Sequence, residues 1–166
     1  MSSEEVYSLC LSTYSTQPDI RNVPINRSNL ADVSWRVNWD QLIPREKISQ
    51  YKYCRVRFHL LFGPKTLAWN TQLGYLGANF QSDFNAQTTC MPTILGVLYP
   101  QNNPTNSGGN QVIIRSTLYE IGVDININSL TGQEVLQLKM CNDDAFTTMS
   151  NIDLDWEVAL FFTLYS

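Results

Sequence analysis

Three features of this sequence predict an all-β fold. Runs of about 5–13 residues alternate apolar and polar side chains with period two. No stretch of 12 or more residues repeats at the helical period. Polar segments rich in Asn, Ser, Pro and Gly separate the alternating runs.

The first strand is predicted at residues 5–13, EVYSLCLST, with Tyr7, Leu9 and Leu11 on one face and Ser8, Cys10 and Ser12 on the other. Residues 14–30 turn to Ser, Thr, Pro, Asn, Asp and Arg, a long connection. Asp32 to Trp39 then places Val33, Trp35, Val37 and Trp39 on one side, the pattern of a half-buried strand. Gln41 to Gln50 is polar and holds Pro44, with room for one short helical turn at Pro-Arg-Glu-Lys. From Tyr51 a third strand turns Cys54, Val56, Phe58, Leu60 and Phe62 inward and Arg55, Arg57 and His59 outward, ending at Gly63-Pro64.

Leu73–Phe80 and Thr93–Tyr99 are predicted strands whose glycines suggest bulges or bends. Residues 100–110 read as an exposed loop, and 111–119, 123–128 and 135–140 as strands, with turns at Leu130-Thr131-Gly132 and 142–144. The last strand, Asp153 to Tyr165, has Trp156, Val158, Leu160, Phe162 and Leu164 on one face. Its other face carries Phe161 and Tyr165, so both sides call for cover, from a loop or from a neighbouring subunit. Eight or nine strands with long connections fit Greek-key crossovers. The best match by count is one domain, residues 1–166, folded as a single jelly-roll β-sandwich of two antiparallel four-stranded sheets.

The composition narrows function. Only 16% of residues are charged, against roughly 25% in typical soluble domains, which suggests surface given to contacts with other proteins. A net charge of −4 argues against direct nucleic-acid binding. No apolar run reaches the 18 or so residues of a spanning helix, and the acidic N-terminus lacks a signal pattern, so no membrane insertion and synthesis in the cytosol are expected. Cys10, Cys54, Cys90 and Cys141 stand far apart, and buried free thiols are expected at Cys10 and Cys54.

No catalytic, cofactor-binding or metal residue is predicted. The single histidine, His59, lies on the outward side of a strand beside arginines, and no nucleophile elbow, metal-ligand or phosphate-loop motif occurs. Asp143, Asp144, Asp153 and Asp155 are read as turn residues rather than calcium ligands. The Asn26-Arg27-Ser28 sequon is discounted without a sign of secretion.

Charge is uneven: residues 1–65 carry a net +3 and residues 66–166 a net −7. Arg45, Lys47, Lys52, Arg55 and Arg57 gather at the start of one strand. With Phe161 and Tyr165 they form the predicted interface, and head-to-tail association of a basic with an acidic edge is the sharper of its readings; an evenly solvated face is the other.

The runs EVYSLCLST, VSWRVNWDQLIP, YKYCRVRFHLLF, LGVLYP and DLDWEVALFFTLYS, with a W-x-V-x-W-x-x-L-x-P signature from Trp35 to Pro44, span nearly the whole chain. In these the sequence resembles the small single jelly-roll capsid proteins of nucleocytoplasmic large DNA viruses, which include minor capsid and penton proteins. The resemblance implies a non-enzymatic virion protein, made in the host cytoplasm, that packs against other capsid proteins and copies of itself, five in a ring if it is a penton. The alternative is a carbohydrate- or receptor-binding jelly roll, lectin-like or a tumour-necrosis-factor-like trimer, with Trp69, Tyr75 or Tyr99 stacking on a sugar. A cupin-like enzyme would need clustered ligands that one histidine cannot supply.

Overall fold

The alternating segments become strands because each can bury one face against a partner sheet. In the computed structural model, residues 3–14, 24–66, 74–81, 93–102, 112–117, 121–132, 134–142, 148–149 and 152–166 are described. Trp69, Cys90, Asp143, Asp144 and residues 103–110 lie outside them, as do the side chains of Phe62 and Asp153. The elements run β1 (Glu5–Ser12), β2 (Pro24–Asn29), β3 (Asp32–Arg36), α1 (Trp39–Leu42), α2 (Arg45–Gln50), β4 (Tyr53–Phe62), β5 (Lys65–Thr66) and β6 (Gly74–Ala78). They continue with β7 (Thr93–Asn102), β8 (Val112–Ser116), β9 (Val123–Ile125), α3 (Ser129–Gly132), β10 (Val135–Cys141), β11 (Ile152–Asp153) and β12 (Glu157–Tyr165).

Two antiparallel sheets form a sandwich. One has four strands in the order β1-β12-β4-β9, and the other has eight, β11-β5-β8-β7-β6-β10-β3-β2. The expected four-and-four count therefore holds for one sheet only. Four segments extend the second: β2 and β5 lie in stretches without strand patterning, β8 is the described part of the run predicted at 111–119, and β11 is split from the last strand. Leu154, at φ 69°, makes that split. A left-handed leucine costs roughly 1–2 kcal/mol, so the surrounding structure imposes the kink.

The core takes the residues that alternation selects. Val33, Trp35, Cys54, Val56, Phe58, Leu60, Trp156, Val158, Leu160, Phe162 and Leu164 are all buried in one cluster with both sheets contributing. Trp35 and Trp156 meet edge to face at 5.8 Å across the sandwich. Each indole N–H donates to a backbone carbonyl, Trp35 to Ser12 at 2.9 Å and Trp156 to Leu30 at 2.7 Å, so neither polar handle is buried without a partner.

The second predicted strand stops at Arg36 rather than Trp39. Trp39 instead opens α1 and carries its ring over the end of the sandwich, 5.4 Å from Phe162 and 6.1 Å from Phe80. The polar stretch expected to hold one helical turn contains two short helices, and the predicted turn at 130–132 is part of α3. Cys54 is buried as expected, and burial pushes its thiol up to about 12. Cys10 is exposed, contrary to expectation, because it sits on the outer side of a strand at the edge of its sheet.

Candidate protein interface

The side chains that point away from the core on the four-stranded sheet form one continuous surface. The register fixes its neighbours: Phe161 lies opposite Arg57 of β4 and Ser8 of β1, Thr163 opposite Arg55, and Tyr165 opposite Tyr53. Asp124 of β9 stands opposite Arg55 on the far side. Gly122, at φ 92°, lets the chain enter β9 hard against the stems of Arg55 and Arg57.

Guanidinium groups partly cover the aromatic rings on this surface. Arg55 lies 5.2 Å from the centre of the Tyr165 ring and Arg57 5.8 Å from that of Phe161, contacts worth about 0.5–1 kcal/mol each when exposed. Tyr53 packs on Tyr165 with ring centres 5.2 Å apart. The Arg55 Nε donates to Asp124 Oδ1 at 3.1 Å, and the Tyr165 hydroxyl donates to the same oxygen at 2.8 Å. Asp124 in this way raises the Arg55 guanidinium above its ordinary value, and burial with the Asp124 contact raises the Tyr165 hydroxyl. Arg57 has no ion pair among the described residues.

The predicted basic cluster divides in two. Arg55 and Arg57 lie on the sheet face, with Phe161 and Tyr165 beside them. Arg45 and Lys47 lie on α2, where Arg45 pairs with Asp40 at 2.9 Å and Lys47 with Glu5 of β1 at 2.8 Å. Lys52 is exposed in the link between α2 and β4 and donates its backbone N–H to the Tyr165 carbonyl. Charge polarity between the halves of the chain is also reduced, since Arg55–Asp124 and Arg27–Asp155 each join a basic residue of the first to an acidic residue of the second. The Asp155 carboxylate, one of the four weighed for calcium, also accepts from Thr13 at 2.7 Å, which ties the end of β1 to the approach to β12.

Reasoning from sequence missed Val6, Tyr53 and Leu61, which are 55%, 47% and 48% exposed. Alternation could have found Tyr53 and Leu61, because both share the parity of Arg55 and Arg57. His59, on the same side, is half-buried, with Nδ1 3.4 Å from the Ser116 hydroxyl. Tyr75 and Tyr99 lie on the outer side of the eight-stranded sheet, on adjacent strands β6 and β7, with Tyr75 half-buried and Tyr99 exposed. Among the described residues no group of three or more His, Cys, Asp or Glu could hold a metal ion.

The Lys47–Glu5 pair extends to Tyr7, whose hydroxyl donates to Glu5 Oε2 at 2.6 Å. That bond, aided by burial, pushes the Tyr7 hydroxyl up to about 12 from 10.0. A raised value in the folded state means stability is fully present below the unfolded value and is lost as pH climbs through the folded one. Stability should therefore fall between pH 10 and 12, and Tyr7→Phe should flatten that decline in urea titrations. An unchanged slope would show that the hydroxyl contributes nothing there.

No family model matches this chain, and no curated protein matches its sequence. Among solved structures, the crystal structure of the decameric BFDV capsid protein aligns over 99% of this chain and 96% of its own, at 7% identity and a TM-score of 0.22. A superposition that poor carries no argument about fold or role.

Proposed function

We propose that the chain is a non-enzymatic virion structural protein, a single jelly-roll subunit that packs as a minor capsid or penton protein against its neighbours in an icosahedral shell. The order of the strands carries this reading. With β1, β3, β4, β6, β7, β9, β10 and β12 counted first to eighth, the four-stranded sheet holds the first, eighth, third and sixth. The core of the other sheet holds the second, seventh, fourth and fifth. That interleaving is what two Greek keys wound into a jelly roll produce, an architecture used by viral capsid and lectin domains and by cupins. Within it β2 flanks the second strand, and β8, β5 and β11 extend the sheet beyond the fifth.

A capsid role is favoured over a cupin enzyme by the single histidine, and by an outer face on which aromatic rings, guanidiniums and exposed apolar side chains stand together. Tyr, Phe and Arg are the residue types that dominate protein interfaces. The purified chain is expected to sediment above the monomer, and mass spectrometry is expected to find it in intact particles. Phe161→Asp should weaken assembly about tenfold or more, ~1.4 kcal/mol, because it puts a charge where a partner would bury a ring, and should leave the melting temperature nearly unchanged. A strictly monomeric chain that is missing from particles would overturn the reading.

A further inference from the structure

The two sheets have four edges, and three of them carry features that oppose pairing with another chain. Among the described residues β9 has three residues and β11 two, both too short to template a new strand. β2 begins with Pro24 and loses register with β3 twice, between Pro24 and Asn26 and between Asn26 and Asn29. The fourth edge is different. β1 runs eight residues in unbroken register with β12, contains no Pro or Lys, and pairs only with β12 among the described residues.

We infer that the β1 edge is a strand-addition site for β1 of a second copy of this chain, which joins two four-stranded sheets into one of eight strands across a two-fold axis. The sequence of β1 is complementary to itself in one antiparallel register. With Ser8 opposite Ser8, exposed Val6 meets exposed Cys10 on the outer face, and Tyr7 meets Leu9 on the inner one. Every side chain keeps its face, so Leu9 and Leu11 stay on the core side.

The charges allow this pairing. Glu5 is the ionised side chain of β1, and it falls opposite Leu11 of the other copy, so the two Glu5 carboxylates lie at opposite ends of the ladder. Each is already paired with Lys47 of its own chain. This register keeps the ladder to residues 5–11. The next one that preserves the faces, with Leu9 opposite Leu9, would bring Val6 against Ser12, which is already buried.

The inference concerns the hydrogen-bonding edge of β1; because Val6 and Ser8 also border the outer face, the position-specific cross-links separate the two, and the capsid reading survives its failure, since a shell subunit can bind through the face alone. The test is oxidative cross-linking of the full chain in which Cys90→Ser removes a competing thiol. Ser8→Cys is expected to give a symmetric dimer linked at position 8, and Val6→Cys to give one linked from position 6 to Cys10 of the other copy, each mapped by mass spectrometry. Ile25→Cys, exposed on β2, is expected to stay uncross-linked. Ser8→Lys should set like charges face to face and weaken the dimer by about tenfold or more without lowering the melting temperature. A monomer at every concentration, equal cross-linking at position 25, or a dimer indifferent to Ser8→Lys would each overturn the proposal.

Discussion

Trp156→Ala is expected to lower folding stability by about 3–5 kcal/mol, the range for removing a large buried ring. The side chain is wholly buried just before β12, where it meets Trp35 of the opposite sheet edge to face. Removing it opens a cavity between the sheets that rigid strands on both sides cannot close, and it deprives the Leu30 carbonyl of the indole N–H at 2.7 Å. The neighbouring corner holds the site in place, because Trp156 N–H donates to the Thr13 hydroxyl while its carbonyl accepts from Thr13 N–H. The loss should therefore spread from the core to the joint between β1 and β12. Urea titration followed by circular dichroism checks the magnitude, and Trp156→Phe should recover part of it by refilling the space without restoring the bond to Leu30. A loss below about 1 kcal/mol would mean that the two sheets do not depend on this contact.

The same tryptophan shows what alternation can disclose. Its parity with Val158, Leu160, Phe162 and Leu164 identified the buried side of β12 correctly, and the same reasoning placed Val33, Trp35, Cys54 and Phe58 inside. A period of two reports which face is buried, but it is silent about which strand lies alongside. That Arg57 covers Phe161, and Arg55 both covers Tyr165 and binds Asp124, depends on the pairing of β4 with β12 and β9, strands far apart in sequence. The candidate interface residues could be nominated singly, then, but not assembled. For the same reason Arg45 and Lys47, adjacent in sequence to the others, belong to α2 and are neutralised by Asp40 and Glu5.

Strands that do not alternate were hidden altogether. β2, Pro-Ile-Asn-Arg-Ser-Asn, has the composition of a turn, and tertiary contacts rather than propensity make it a strand. Arg27 reaches across to Asp155 at 2.8 Å, and the backbone follows β3 only with two breaks in register. Asn26 shows its turn character even so, its side-chain oxygen accepting from the Ser28 backbone N–H. Among the described residues β5 and β11 have two residues each, too few for any pattern to register. These segments account for much of the difference between the four strands expected in the second sheet and the eight it contains.

Gly63→Ala should cost about 2–3 kcal/mol, typical of forcing an extra carbon into a packed interior. Gly63-Pro64 is where the chain leaves β4 in the four-stranded sheet and enters β5 in the other. β8 passes over this crossing so closely that a Cβ on residue 63 would sit 1.8 Å from the Ile114 carbonyl oxygen. A flexible side chain could swing aside, but a backbone carbonyl within a ladder cannot move without its strand. Relief would require β8 to lift, which would break the bond from Ile114 N–H to the Pro64 carbonyl at 2.9 Å and the pairing of Lys65 and Thr66 with Ile113 and Val112. Hydrogen exchange should accordingly show the Ile114 amide losing protection in the variant, while amides of β12 are affected only through the global loss. Gly132→Ala serves as the control: among the described residues, apart from its chain neighbours and the backbone of α3, no heavy atom lies within 4 Å of the added carbon, and the reduced freedom of the unfolded chain should make it neutral or stabilising by up to about 1 kcal/mol. If both variants unfolded at the same urea concentration as the parent, the close approach of β8 to the crossing would be wrong, and with it the attachment of β5 and β8 as drawn from the strand order.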